Sequence, residues 1–246
     1  MQKVKAAFDD FIIEARVMPA VTIVMPVLAV GLHRGILNSE WTEASVEFAL
    51  ALVMLMFMAC VARECGKTYE KKMFGKLNAM PTTILMRFSD DTIDVISKIK
   101  YHRWFNDREE NYNLPLSLEE EQADVQSDSK YISAINALRV YANEQRTRFP
   151  RVYQELKKYN YWRNLYGCKK LAIILYMLMV LKECTQIEQF HIRDIAGGLS
   201  SQYNVLLGII LWTVLYCMTV TKKVVERNAF DYARTLIETI CVTGIR

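Results

Sequence analysis

The chain has 246 residues, of which 52% are hydrophobic and 24% charged, and its 31 Lys and Arg outnumber 27 Asp and Glu to give a net charge of +4. That is too apolar for an ordinary soluble domain and too charged for a chain embedded throughout, so the two kinds of surface must be segregated along the sequence. Lys and Arg gather beside apolar runs instead of forming one stripe, which reads as membrane topology and argues against a dedicated nucleic-acid binder.

In chain order, residues 1–16 place Phe8, Phe11, Ile12 and Ala15 at spacings of three and four, with Lys3, Lys5, Asp9, Asp10 and Glu14 elsewhere. This spacing predicts an amphipathic helix at the membrane surface. Acids precede the first apolar run and a clean small-residue cleavage site is missing, so a removable signal peptide is not expected. Residues 17–62 read as a first transmembrane hairpin. Its first crossing, about Val17 to Leu37, contains Pro19 and Pro26, each a kink or a start. Arg34 near the far end is expected to snorkel to the headgroups. A polar turn with Trp41 at the interface leads to a second crossing, about Val46 to Ala62, whose methionines suit adaptable packing.

Residues 63–170 are polar and read as a helical cytosolic insert. Gly75 to Pro81 marks a break, and Ser89-Asp90-Asp91 is a cap cluster for a helix whose buried face is expected to be Ile93, Ile96, Ile99 and Trp104. Ser117 with Glu120 has capping-box spacing, and Glu119-Glu120-Glu121 suits a helix start. Tyr131, Ile135, Leu138 and Tyr141 recur at the helical period, and Phe149-Pro150 interrupts them. Strand signals are almost absent.

Residues 171–221 read as a second transmembrane hairpin. The run Leu171 to Leu181 is short for a span and leaves a thin crossing or a re-entrant segment open, whereas Asn204 to Val220 carries no charge. A polar loop, Glu183 to Gln202 with Gly197-Gly198, joins the two runs, and residues 222–246 form an amphipathic C-terminal helix with Val225, Phe230, Ala233, Ile237 and Ile240 available for burial. Arg63, Lys67, Lys71, Lys72 and Lys76, then Arg151, Lys157, Lys158, Arg163, Lys169 and Lys170, then Lys222, Lys223, Arg227 and Arg234 flank the spans, while the two short loops carry only Arg193. The positive-inside rule therefore puts both termini and residues 63–170 in the cytoplasm. The fold class is all-α: a polytopic membrane protein with four transmembrane helices in a 2+2 arrangement around the insert.

Two constellations carry chemistry. Arg87, Asp94, Lys98, Tyr101 and His102 lie close in sequence, with Asp94, Lys98 and Tyr101 at i, i+4 and i+7, which offers a ligand or phosphate pocket; an ion-paired exposed face is the simpler account. Tyr159, Arg163 and Asn164 belong to a basic aromatic segment that could stack on bases, although anchoring at the interface explains it without nucleic acid, and a polar cluster there could also join helices of neighbouring subunits. Arg34, Thr213 and Thr219 are polar positions that lipid would penalise, hence candidates for pore-lining or interhelical roles. The six cysteines and three histidines show no metal-ligand or nucleophile spacing, so the cysteines read as small, buried, reduced hydrophobes, and no catalytic residue, cofactor or metal is expected.

The order of crossings around the insert, with Pro81-Thr82-Thr83, Tyr101-His102, Leu114-Pro115, Glu119-Glu120-Glu121, Tyr131 and Arg163-Asn164-Leu165-Tyr166-Gly167, resembles small bacterial multi-span inner-membrane proteins. In layout it is also similar to multi-span effectors of antiphage defence systems. The resemblance implies a membrane-disrupting homo-oligomer in the inner membrane, held quiet by a cytosolic protein or ribonucleoprotein regulator encoded nearby. The alternatives are a non-conducting scaffold that recruits a partner through the insert and, more weakly, a membrane enzyme acting on lipid or nucleotide.

Overall fold

Few glycines and prolines interrupt the chain and β-branched runs are short, which favours helix nearly everywhere. The computed structural model describes residues 10–37, 41–76, 79–108, 112–185 and 201–243, and among these every regular element is a helix. A turn of α-helix at Asp10–Ile12 and a π-helical stretch at Ile13–Val17 run into α1 (Met18–Leu37). There follow α2 (Trp41–Gly75), α3 (Pro81–Met86), α4 (Val95–Asn106), α5 (Leu118–Ala123), α6 (Ser127–Glu144), α7 (Pro150–Gly167), α8 (Lys169–Thr185), α9 (Ser201–Thr219) and α10 (Lys222–Thr243). The first nine residues of the expected amphipathic helix and the Gly197-Gly198 loop lie outside the described residues.

Two helical stretches, Asp10–Ile36 and Ser45–Gly75, are long and apolar enough to cross a membrane. Two further candidates are each broken: α7 with α8 bends by 53°, and Tyr203–Thr219 with Lys222–Cys241 by 46°. The chain therefore has two clear membrane-span candidates, and four if each bent pair counts as one crossing.

The contacts define two compact units, Met1–Tyr69 with Asn160–Val225, and Glu70–Tyr159 with Glu226–Arg246. The first has a core of Ala20, Ile23, Val24, Val27, Ala51, Met58, Ala62, Leu165, Cys168, Ala172, Tyr176, Tyr216 and Val220. Alanines at the crossings let the helix backbones approach closely. Glycine does the same at one point: a Cβ on Gly167 would stand 2.6 Å from the Cys65 carbonyl carbon and the Gly66 nitrogen. On α2, Ala51, Met58 and Ala62 turn inward while Val53, Met56 and Phe57 point outward, so only part of the methionine run packs.

In the second unit α10 buries Val225-proximal and later positions, Ala229, Tyr232, Ala233, Leu236, Ile237 and Ile240. Expected as a separate tail, this helix thus joins the unit of residues 70–159. The start of α4 differs from expectation. Its N-cap is Asp94, whose carboxylate accepts from Ser97 N–H at 2.9 Å, while Asp90 accepts from Thr92 N–H at 3.0 Å to close the preceding turn. The helix therefore buries Lys98, Tyr101, His102 and Phe105, whereas Ile96 is 82% exposed, and the face expected from Ile93, Ile96, Ile99 and Trp104 is corrected. The isoleucine spacing is helical, but it yields to carbonyls and aromatic rings that the Lys98 and His102 side chains reach only in the folded unit. Ser117 caps α5 as expected, accepting from Glu120 N–H at 3.2 Å.

Candidate functional site

At the far end of α1, Arg34 is 5% exposed and its guanidinium donates to two carboxylates. Nη1 stands 2.9 Å from Glu47 Oε1 on α2, and Nη2 donates to Glu183 Oε1 on α8 at 2.7 Å. Lys182 Nζ donates to the same Glu47 oxygen at 2.8 Å. Arg34, expected either to snorkel or to take a pore-lining or interhelical place, is buried and paired, because two acids from neighbouring helices offset a desolvation cost that would otherwise drive it to the headgroups. Two cations face two carboxylates, so the cluster is formally neutral. Its asymmetry is notable: both cations reach Glu47 Oε1, and buried Glu47 Oε2 has no hydrogen-bond partner among the described residues. Glu47 and Glu183 as Arg34's partners, with Lys182 on Glu47, are not evident from the sequence; the available signal is an acid near the start of one apolar run and another just past the end of a second, with an arginine near the end of a third.

A second polar cluster lies where α2, α7 and the π-helical stretch meet. Asn164, 1% exposed, donates from Nδ2 to Ala15 O at 2.6 Å and accepts at Oδ1 from Arg163 Nη2 at 3.2 Å. A Cβ on Gly66 would fall 2.2 Å from that Oδ1, so the asparagine lies in a slot that glycine leaves open. Asn164 thus ties α7 to the stretch before α1 within one chain, and Arg163 supports its oxygen from the same helix. Their neighbours cap the two helix breaks reciprocally: Tyr216 OH on α9 donates to Leu165 O at 3.2 Å, and Lys169 Nζ on α8 donates to Cys217 O and Val220 O at 3.0 and 2.7 Å. An ammonium suits the negative end of α9. Tyr176 OH donates to Ile23 O at 3.0 Å, next to the carbonyl of Thr22 that Pro26 cannot satisfy.

In the second unit the expected ligand residues are held in internal bonds. Arg87 forks onto Asp128, with Nε and Nη2 at 2.9 and 2.6 Å, and these hydrogen bonds raise its pKa further above the ordinary arginine value. Lys98 Nζ donates to Arg87 O at 2.7 Å and to Asp90 O, closing the loop before α4, and burial lowers its pKa. His102 has Nδ1 2.5 Å from Pro115 O and Nε2 3.1 Å from Met86 O; burial outweighs both carbonyls and lowers its pKa, and the neutral ring donates to one of the two. Glu121 Oε2 accepts from Phe88 N–H and Tyr131 OH, both at 2.7 Å, and burial together with that carboxylate raises the Tyr131 pKa.

Asp94 is an exposed cap, and Tyr101 OH meets Cys241 Sγ at 3.5 Å. Tyr159 donates to Glu70 Oε1 at 2.6 Å and lies parallel to Tyr232. The structure therefore brings Arg87, Lys98 and His102 into one neighbourhood, as framework around the α3–α6 loops, and sets Asp94 and Tyr101 apart from any shared pocket.

Thr213 and Thr219 use their hydroxyls within α9, donating to Ile209 O at 2.7 Å and Leu215 O at 2.8 Å. All six cysteines are free thiols: Cys168 is buried, whereas Cys60 and Cys184 are exposed on apolar helices, against the expectation of burial. Among the described residues no group of three His, Cys, Asp or Glu is placed to hold a metal ion. No family model, curated protein or solved structure matches this chain.

Proposed function

We propose that the chain is an inner-membrane effector that opens a path across the bilayer when a partner or signal releases it, acting as a homo-oligomer. On this reading α8 and α9 supply the third and fourth crossings, giving four, and both termini lie in the cytoplasm with the second unit. The observation that carries the reading is the Arg34–Glu47–Glu183–Lys182 cluster. Ionisable groups inside apolar helices are expensive, and neutral packing residues hold helices together at lower cost. Charges from three helices that satisfy one another across the helix contacts are suited to a membrane protein that must change state, because parting the helices leaves them unpaired. Antiphage defence is the setting that the layout resemblance adds.

The test is controlled expression in bacteria with a potential-sensitive dye, with and without the neighbouring gene, for the native chain and for Glu47→Gln. Depolarisation that the neighbour prevents, altered in the variant at equal membrane level, supports the reading. Intact potential at high inserted level with the neighbour absent replaces it with the non-conducting scaffold.

A further inference from the structure

A recess in the first unit runs between α1 and α9. It encloses about 260 Å³ and is lined by Met25, Pro26, Ala29 and His33 on one helix and by Asn204, Gly208 and Trp212 on the other, among others. These positions recur at i, i+4 and i+8 on each helix, so the recess follows two turns of both, roughly 12 Å.

Its two ends differ in chemistry. Trp212 Nε1 donates to Tyr176 OH at 3.2 Å, and Tyr176 OH donates to Ile23 O at 3.0 Å. Trp212 therefore lies level with the Ile23 turn of α1, the helices run antiparallel here, and His33 and Asn204 share the opposite end. That end is the one where α1 finishes at Leu37 and α9 begins at Ser201, which is also the end of the Arg34 charge cluster. The recess is thus polar at the helix termini and apolar toward mid-helix.

Small residues keep it hollow: a Cβ at Gly208 would meet nothing within 4 Å. The surface around it is apolar and outward-facing, with Met25 and Leu207 about half exposed. A groove that is polar at the membrane boundary, apolar toward the bilayer centre and open to hydrocarbon along its side has the polarity of one amphiphile in one orientation.

We propose that the α1–α9 groove is a binding site for a single phospholipid, with one acyl chain against Pro26, Ala29, Gly208 and Trp212 and the headgroup at His33 and Asn204. The proposal rests on the first unit lying in a bilayer. Occupancy wedges α1 and α9 at a fixed separation, so the lipid is a structural part of the resting state, and its loss lets the two helices close on each other.

The test uses the full chain in nanodiscs of phosphatidylethanolamine and phosphatidylglycerol doped with a phospholipid carrying a mid-chain diazirine, with crosslinks mapped by mass spectrometry. Labelling of Met25–Val30 and Gly208–Trp212 should exceed that of the outward α2 face, Val53–Phe57, by at least about fivefold, and should saturate as the mole fraction of the diazirine lipid is raised while α2 labelling keeps rising in proportion. Gly208→Phe, which grows into open space, should reduce groove labelling about fivefold and leave α2 labelling unchanged. Equal, non-saturating labelling of groove and α2 shows ordinary boundary lipid and overturns the site, as does groove labelling indifferent to Gly208→Phe. Absence of labelling on α2 as well as the groove would instead overturn the bilayer placement itself. The saturation measurement decides the matter even where the variant does not fold.

Discussion

Asn164 donates its side-chain amide to Ala15 O at 2.6 Å, and Ala15 is the residue four before Pro19. Ala15 lies in the π-helical stretch Ile13–Val17, where Met18 N–H bonds back to Ile13 O in the wider i→i+5 pattern. One asparagine on α7 thus hydrogen-bonds the backbone of a different helix at this irregular turn, and it fits because Gly66 on α2 has no side chain.

Three substitutions follow from that geometry. Asn164→Ala should lower stability by about 1–3 kcal/mol, since it strips a buried acceptor of its donor. Gly66→Ala should be destabilising alone and much less so on an Asn164→Ala background, because the group it meets is the end of that side chain. Gly167→Ala should be worse than Gly66→Ala and not rescued, because its Cβ would meet backbone. Thermal midpoints in one detergent check all three, and additive effects at positions 66 and 164 would refute the slot.

Removing Arg34 leaves Glu47 with Lys182 alone and takes from buried Glu183 the cation it is paired with. Arg34→Ala should cost about 3–5 kcal/mol, and the triple variant Arg34→Met, Glu47→Gln, Glu183→Gln should regain much of it. A triple variant no more stable than the single one, by chemical denaturation in detergent, would show that the cluster is not the source of the loss.

His102 gives a pH dependence with a definite sign. Its folded pKa lies below the unfolded value of about 6.5, so the unfolded chain binds more protons and stability rises with pH between the two values. The contribution is complete above about pH 6.5 and is lost as pH falls toward the folded pKa. The carboxylates with lowered pKa, exposed Asp94 and Glu119 and half-buried Asp124, act in a lower window, below about pH 4. Thermal midpoints of the second unit measured from pH 7.5 to 5 should fall more steeply for the native chain than for His102→Asn; equal slopes would contradict this.

Lys169 holds the end of α9. Lys169→Met should expose the Cys217 and Val220 carbonyls and raise amide hydrogen exchange around residues 220–225, with Lys169→Arg retaining most of the protection. Exchange unchanged in the methionine variant would mean that the break is held by packing alone.

Sequence periodicity located the helices well because it reflects each helix's own apolar face: Tyr131, Ile135 and Leu138 on α6 and Ala233, Ile237 and Ile240 on α10 are buried as their spacing required. It failed at α4, where the isoleucines carry the period but lysine and histidine carry the burial. Hydropathy scores Lys98 as a surface residue and contains no term for carbonyls eleven and eight positions upstream. Methionine on α2 was read correctly as packing only in part, since Met58 is core and Met56 points outward.

What the sequence by itself determined is the all-helical, membrane-suited character of the chain and the places where Gly75 ends a helix and Pro81 and Pro150 begin one, because these follow from local covalent chemistry and from runs of apolar residues. What only the tertiary structure decided is which polar side chains are partners. Arg34 with Glu47 and Glu183, Asn164 with Ala15, and Lys169 with the end of α9 are each separated by a dozen to about 150 positions, and their pairing depends on helix rotation and close approach. A buried charge or amide is stable only with its partner in reach, and that distance exists nowhere in the linear chain.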